Sequence, residues 1–298
     1  MAVSGAKDFE PNVADYVEEA FERCGLEFRT GYDAVTARRS INFLFADWAN
    51  RGLNRWTIEQ VSQTMVSGLA QYPVGIVTAT VGASTFLVVG NTITGSISGA
   101  TAVVLTKPSS TTVTISLPSG TFTAGETITS TASDESGVST TITANPGISD
   151  VQATVDILSA VIRRDNADIS VSRVSRDDYL SIPNKLTTGR PTQFYVDRLI
   201  SPILKIWPTP ENSTDVIIYD RLVRIDDAGS SINTVEVPFR FYPCLAAGLA
   251  YYLSLKRAPD RVQMLKSVYE EEFQRAAEED RDRASFSIVP SYSYLSAS

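Results

Sequence analysis

The chain has 298 residues, of which 43% are hydrophobic and 20% charged, and its formal net charge is −8. This is the composition of a globular protein with room for one large or two modest domains. The acidic balance argues against tight wrapping of DNA, which needs a basic surface that displaces counterions. Histidine is absent, which excludes Ser-His-Asp and Cys-His catalysis and H-E-x-x-H zinc sites.

The first residues, MAVSGAKDFEPNVADY, contain no apolar stretch, so we expect no signal peptide. The longest apolar run, 246–253, is too short to span a bilayer, so we expect no membrane partner. Cys24 and Cys244 both fall on predicted helices beside aromatic residues. We expect two buried free thiols, with a disulfide as the alternative.

Four segments have the i, i+3, i+4 apolar spacing that predicts amphipathic helices. They run from about Asn12 to Cys24, from about Asp33 to Asn50, from Pro238 onward and from just after Pro259. Alternating, β-branched segments between them predict strands at 151–157, 193–198, 203–207 and 216–225. The sequence therefore predicts an α+β fold in which the helices from both chain ends form one bundle beside a β-rich part.

Residues 78–146 differ from the rest of the chain. They contain four charged residues, Lys107, Glu126, Asp134 and Glu135, and are dominated by Ser, Thr, Val and Gly. The segment repeats itself: VGNTITG at 89–95 resembles AGETITS at 124–130, and SGATAVV at 98–104 resembles SGVSTTI at 136–142. We expect a small all-β domain inserted into a host domain formed by 1–77 and 147–298, with a disordered linker as the alternative.

Motifs that support catalysis are missing. The sequence has neither G-x-G-x-x-G nor a Walker motif. The adjacent carboxylates Asp177 and Asp178 follow Ser175, and this spacing predicts a helix cap rather than a paired acid and base. We expect no enzymatic activity, no catalytic residues, no metal site and no cofactor.

Aromatic and arginine side chains in polar surroundings are candidates for protein contacts, because both types are enriched in interfaces. Trp48, several tyrosines and Trp207 lie in such places, and burial in an ordinary core is the alternative for each. The candidates for contacts with neighbouring subunits or with a partner protein are Trp56, Arg176, Tyr179, Arg190, Tyr195 and Trp207.

The C-terminal sequence SFSIVPSYSYLSAS follows a strongly charged helix and carries almost no charge. Such an apolar tail is expected to lie on a partner as a binding arm, although packing on its own domain is the alternative. The candidate contact residues of this arm are Phe286, Ile288, Val289, Tyr292, Tyr294 and Leu295.

The order and spacing of four stretches resemble the head-to-tail adaptor family of short-tailed phages, also called tail tubular protein A or the head-completion tail accessory factor. These stretches are INFLFADWANRGLNRWTIEQ (41–60), SRDDYLSIPNKLTTGRPTQFYVDR (175–198), ILKIWPTPENS (203–213) and FYPCLAAGLAYYLSLK (241–256). The resemblance covers most of the chain outside residues 78–146.

The resemblance implies a structural protein of the virion that forms a homo-oligomeric ring of twelve subunits. It further implies a portal protein above the ring, a tail nozzle protein and a possible tail fibre as neighbours, and genome DNA that passes without sequence-specific binding. Two other interpretations remain open: a virion decoration or receptor-binding protein that uses the β segment, and a tail-associated glycan hydrolase.

Overall fold

The computed structural model describes residues 9–29, 31–52, 55–130 and 139–280. The chain divides into two compact units, one formed by Met1–Trp56 with Ile225–Ser298 and the other by Thr57–Arg224. We call the first the helical unit and the second the β unit. The fold is of the α+β class, with helices from both chain ends and a β-rich middle, as the sequence predicts.

Four long helices build the helical unit. The side chain of Asn12 accepts a hydrogen bond from the Asp15 backbone, and the Asp15 side chain accepts one from the Asn12 backbone, so that a capping box starts the first helix. Gly25, with a φ of +70°, follows the end of that helix, as expected for a helix stop. The helices are α1 (Val13–Arg23), α2 (Gly31–Arg51), α5 (Tyr242–Arg257) and α6 (Val262–Glu279).

These four helices share one hydrophobic core. Most of α5 is buried, and it is the helix against which α1, α2 and α6 pack. Gly248 lies inside α5, and a Cβ atom there would be 2.8 Å from Leu44 and 2.9 Å from Tyr269. This glycine therefore lets α2 and α6 approach α5 closely. Cys24 and Cys244 are buried free thiols, which confirms the expectation from the sequence.

The β unit contains two four-stranded sheets that enclose a second core. One sheet has the order β1-β16-β9-β10, and the other has the order β11-β13-β14-β2. Their strands are β1 (Ile58–Thr64), β2 (Gln71–Pro73), β9 (Thr154–Arg164), β10 (Ala167–Ser170), β11 (Ser172–Arg173), β13 (Gln193–Asp197), β14 (Ile203–Trp207) and β16 (Val216–Val223). The short strands β12 (Thr188–Gly189) and β15 (Thr209–Pro210) pair beside them, and α3 (Ser149–Ala153) and α4 (Arg176–Ser181) complete this part.

A third sheet of six strands, which we call the β module, lies between β2 and α3 in sequence. Its order is β3-β6-β5-β4-β7-β8 and it encloses a core of its own. The strands are β3 (Val77–Thr80), β4 (Thr92–Gly95), β5 (Thr101–Thr106), β6 (Thr112–Ile115), β7 (Thr127–Ser130) and β8 (Ser139–Thr141).

The two ends of the β module meet at one buried arginine. Arg221 donates to the Asp150 carboxylate at 2.5 Å, and the same carboxylate accepts the backbone N–H of Ile76 at 2.7 Å. Gly75, with a φ of +120°, fits beside these groups because a Cβ there would be 2.5 Å from Arg221. The chain thus enters and leaves the module at adjacent points.

The repeat seen in the sequence is also a structural repeat. Gly90 and Gly125 occupy equivalent positions and both have positive φ, of 91° and 80°. The N–H of Gly90 donates to Val104 and that of Gly125 to Ile142, each at 2.8 Å. The equivalent strands β4 and β7 pair with each other in antiparallel register. The module therefore contains two similar hairpins, β4–β5 and β7–β8, joined through their first strands.

The strand predicted at 151–157 is wrong over its first half. Residues Ser149–Ala153 form the short helix α3, and strand β9 begins only at Thr154. The alternating pattern misleads here because the local backbone is fixed by distant partners. The Arg221 side chain donates to the Asp150 carbonyl, and the Thr154 hydroxyl donates to the Val74 carbonyl.

Candidate functional site

One face of the β11-β13-β14-β2 sheet is half exposed and carries polar and aromatic side chains. Along β13 and β14, every second residue is buried in the core of the β unit. The intervening residues point to the other face, and there Tyr195 is opposite Lys205 and Gln193 is opposite Trp207. Strand alternation thus separates a core face from a second face that is free for contacts.

Helix α4 adds a second tyrosine to this face. Its start is a capping box between Ser175 and Asp178, as the sequence predicts. The ring of Tyr179 stacks on that of Tyr195 with centroids 5.6 Å apart and an interplanar angle of 26°. Lys185 lies 5.7 Å from the Tyr179 ring centre and Lys205 lies 5.8 Å from that of Tyr195. Two lysines therefore flank a stacked pair of tyrosines.

Lys205 also affects the ionisation of its neighbours on this face. Lys205 Nζ donates to Asp197 at 2.8 Å, and this bond lowers the pKa of the Asp197 carboxyl. Burial raises the pKa of the Tyr179 hydroxyl, which is only partly offset by the charge of Lys205. Tyr179 therefore keeps a neutral hydroxyl group beside the lysine that flanks its ring.

A groove of about 350 Å³ continues the face at one end of β11 and β13. Arg173, Arg176 and Arg198 line it together with Tyr195 and Asp197. Asp156 binds Arg173, with a shortest distance of 2.9 Å, and also pairs with Arg198. Arg173 and Arg198 are thus already paired with a carboxylate, whereas Arg176 forms no ion pair with other described residues. Arg176 can bind an anionic partner, because arginine binds carboxylate and phosphate groups in a planar, bidentate way.

A loop holds Trp207 at the other end of the face. The Trp207 indole donates to the Asn184 carbonyl at 3.0 Å, and Thr209 donates to the Lys185 carbonyl at 3.1 Å. Lys185 itself donates to the Leu180 and Ile182 carbonyls at 3.1 Å. The sequences IPNK and WPTP, which are far apart in the chain, therefore form the two sides of one structural element.

The structure gathers some of the predicted contact residues and separates others. Arg176, Tyr179, Tyr195 and Trp207 lie on α4, β13 and β14 around this face. Tyr179 itself is buried, with 8% of its surface exposed, so it supports Tyr195 rather than offering a free surface.

The remaining candidates have other positions. Trp56 belongs to the helical unit, where its ring centre lies 4.5 Å from that of Phe241 and its indole donates to the Glu236 carbonyl at 3.2 Å. Arg190 is half-buried, and its Nε has no hydrogen-bond partner among the described residues. Trp48 is fully buried in the helical core, so the core alternative is right for it. The arm residues 286–295 lie outside the described residues.

Sequence reasoning missed the cations of this site. Lys185, Lys205, Arg173 and Arg198 complete it, and none of them was among the predicted contact residues, which are aromatic residues and other arginines. The strand alternation of 193–198 and 203–207 was a usable signal for Lys205, because it places that residue opposite Tyr195 once the hairpin is paired.

The site offers stacking, hydrogen bonding and cationic charge, which suit binding rather than bond making. Within the described residues, no three potential metal ligands of the His, Cys, Asp and Glu types come together. No helix in the described part of the chain is long and apolar enough to cross a membrane.

The family of the chain follows from its sequence as a whole. A family model described as SU10 adaptor protein matches residues 12–291. The chain belongs to the SU10 adaptor protein family. The match confirms the resemblance to phage head-to-tail adaptors and shows a structural adaptor of a phage particle, hence a virion component. Among curated proteins, none matches the chain in sequence.

The matched range of this SU10-type adaptor runs across both units and includes the β module. The half-exposed face with Tyr195 and the arginine groove therefore lie inside the region that defines the family. An adaptor has to contact other structural proteins of the particle. The face described here is a candidate for one such contact.

Proposed function

We propose that this adaptor is the subunit of a ring between the portal and the tail nozzle, through which the genome passes. The observation that carries the proposal is the family match over residues 12–291. The stacked tyrosines with their flanking cations support it, because aromatic and arginine side chains in a common patch are typical of protein–protein contact surfaces.

The arginine-lined groove indicates the chemistry of the expected partner. Of the three arginines that line the groove, Arg173 and Arg198 pair with Asp156, so Arg176 is the guanidinium group left for a partner among the described residues. Local complementarity of charge selects the partner and the register more than it adds affinity. The partner at this face is therefore expected to present acidic side chains.

The test is assembly with purified portal protein, followed by negative-stain microscopy. We expect rings of the adaptor on the portal. The variant Arg176→Glu with Tyr195→Ser is expected to weaken binding of either the portal or the nozzle protein by about tenfold or more. Leu158→Ser, at another exposed site of the β unit, is the control. Absence of any ring on the portal would contradict the proposal.

The C-terminal arm is part of this proposal on sequence grounds. Phe286, Ile288, Val289, Tyr292, Tyr294 and Leu295 are expected to bind the portal or a neighbouring subunit. A chain truncated after Ala284 should then lose portal binding in the same assay while its melting temperature stays nearly unchanged. Equal portal affinity of the truncated and full-length chains would argue against the arm.

The acidic net charge supports a passive path for DNA. With 34 acidic against 26 basic residues, the ring wall is expected to repel phosphates on balance, so that the genome does not stall. Binding to free duplex DNA should be weak and salt-sensitive in a fluorescence anisotropy titration. Submicromolar binding at physiological salt would contradict this part of the proposal.

A contact through the β module is the second candidate, as in a decoration or receptor-binding protein. Its loops expose the apolar residues Phe86, Val88, Val89 and Ile97, and the last of these is 73% exposed. Exposed apolar residues within one small module favour a protein partner for it. Loss of virion or host-cell binding after Ile97→Ser, with ring formation intact, would favour this candidate.

A further inference from the structure

An exposed aromatic cluster projects from the helical unit. Phe9 and Phe239 are 71% and 73% exposed, and both rings contact Tyr242. Their centroids lie 6.4 Å and 5.5 Å from that of Tyr242, in edge-on geometry. We call Phe9, Phe239 and Tyr242 the aromatic knob. Two phenylalanines held together in water by a third ring are costly to leave uncovered, because each offers a large apolar area.

The same unit contains an apolar groove between α1 and α2. Its volume is about 200 Å³, below the roughly 300–1,000 Å³ of typical small-molecule sites. Phe28 and Val35, at its rim, are 43% and 45% exposed. The groove therefore suits one or two inserted side chains. It is lined by Val13, Ala14, Val17, Phe28, Ala34, Val35, Arg38 and Ser231.

Knob and groove lie on different flanks of helix α1. Tyr16 contacts Tyr242 of the knob at 6.0 Å, whereas Val17 lines the groove. Successive residues of an α-helix point about 100° apart, so these two neighbours mark separate sides of α1. One copy can therefore offer its knob to a second copy while its own groove stays open to a third.

The charges around the two features are complementary. Glu10 is exposed next to Phe9, and Arg38 is exposed and lines the groove. Arg39, the next residue of α2, is also exposed. Arg38 donates to the Gly229 carbonyl at 3.1 Å, which fixes its position. Glu10 and Arg39 form no hydrogen bond or ion pair with other described residues. An acidic group at the knob and basic groups at the groove favour a knob-to-groove contact over contacts of like with like.

We propose that the aromatic knob of one copy inserts into the α1–α2 groove of a second copy, with Glu10 facing Arg38 and Arg39. Because the two surfaces differ, the contact is head-to-tail, and such contacts build rings when the rotation between copies closes. The inference deepens the ring in the proposed function and rests on it: it assigns which parts of the helical unit join neighbouring subunits.

Site-specific cross-linking of the full-length chain tests the contact. Two single variants, Phe239→Cys and Val35→Cys, are mixed with and without portal protein and treated with a short thiol cross-linker. The native Cys24 and Cys244 are buried, so their background is measured on the unmodified chain. We expect covalent dimers in the mixture and not in either variant alone. Phe239→Cys mixed with Met264→Cys, a site 57% exposed on α6, is the control and should give none.

Each other outcome overturns the contact in a distinguishable way. Dimers from one variant alone would show a symmetric contact instead. Equal dimers with the Met264→Cys control would show random collision. Rings visible by microscopy without cross-linking in the mixture would overturn the assigned surfaces and leave the ring proposal intact. If the chain stays monomeric even when portal protein is present, both the ring proposal and the assigned surfaces are wrong.

A charge reversal gives a second readout. Glu10→Arg is expected to weaken self-association by about tenfold, measured by mass photometry, and adding Arg38→Glu and Arg39→Glu to the same chain should restore it. Met264→Ser should leave association unchanged. Failure of the reversed pair to recover, with both variants folded by circular dichroism, would overturn the proposed register.

Discussion

The helical unit and the β module place their polar groups in opposite ways. In the helical unit, Trp48 donates to Tyr269 at 3.1 Å and Tyr269 donates to Asp47 at 3.0 Å, so these bonds lead from the buried core to a partly exposed carboxylate. Arg51 pairs with Glu270 at 2.9 Å on the outside of the same helices. Here the charged groups are several and partly exposed, so that no single ion pair determines the stability of the unit.

The β module instead buries one carboxylate in its interior. Glu126 is 1% exposed and accepts the backbone N–H groups of Ile97, Ser98 and Thr123. It also accepts the Ser98 hydroxyl at 2.7 Å. The comparison teaches that the helical unit depends on the shape of its core, whereas the module depends on one ionised group that holds two turns together.

Deletion of the module is expected to have the largest effect on stability and tests this comparison most directly. We predict that a short Gly/Ser linker in place of 78–146 leaves the helical unit folded, because the chain enters and leaves the module beside Asp150. The β unit loses stability, since Leu105 of the module is buried in its core, and such a loss costs about 2–5 kcal/mol. Circular dichroism and chemical unfolding measure both effects.

Leu105→Ala is the matched control for the deletion. It should cost the β unit a similar free energy of unfolding without any change in chain connectivity. An insoluble deletion variant whose helical signal is lost would contradict the independence of the module, and the inserted-domain proposal would fail with it.

A smaller effect is expected from Gly248→Ala. The added Cβ would meet Leu44 and Tyr269 at less than 3.0 Å, so the close packing of α2, α5 and α6 has to yield. Overpacking of this kind costs about 1–3 kcal/mol, although alanine is the better helix former. Gly31→Ala, with nothing within 4 Å of the new atom, is the control and should not destabilise the protein. Equal stability of the two variants would refute the role of Gly248.

We predict that the stability of the module falls at acid pH and does not change near neutral pH. Burial alone would raise the pKa of Glu126, but the hydrogen bonds from Ser98, Ile97 and Thr123 outweigh it and lower the pKa from 4.5 to about 2. A lowered pKa in the folded state stabilises the fold above pH 4.5, and this stabilisation is lost as the pH falls from about 4.5 to about 2.

The measurement is the unfolding midpoint of the full-length chain as a function of pH. Unfolding of the strands is monitored by far-ultraviolet circular dichroism. Glu126→Gln should lower the stability of the module at neutral pH and remove its acid dependence over that window. If the variant keeps the same acid dependence as the parent chain, another carboxylate is responsible.

The four long helices were predictable because their signals are local. The apolar i, i+3, i+4 spacing and, for α1, the stop at Gly25 can be read from neighbouring residues alone. The repeat at 89–95 and 124–130 was equally visible, since β4 and β7 share the residues Thr-Ile-Thr at equivalent positions.

Features fixed by distant partners were not predictable. Helix α3 depends on bonds from Arg221, which is 71 residues from Asp150 in sequence. The site followed the same rule: Tyr179 and Tyr195 were candidates by residue type, but their stacking needs the turn of α4 over β13. Trp48 shows the converse, because polar neighbours in sequence say nothing about the face on which a helical side chain lies.

Because β4 pairs with β7, the two similar hairpins of the module contact each other as the subunits of a dimer would, although they belong to one chain. A single hairpin is marginally stable in water. Two similar hairpins on separate chains would have to find each other at cellular concentration, whereas the tether between β4 and β7 holds their local concentration near the millimolar range expected for short linkers. Because both hairpins belong to the same polypeptide, each has its partner as soon as the chain is synthesised. It also means that hairpins from two neighbouring subunits have the surfaces needed to exchange places.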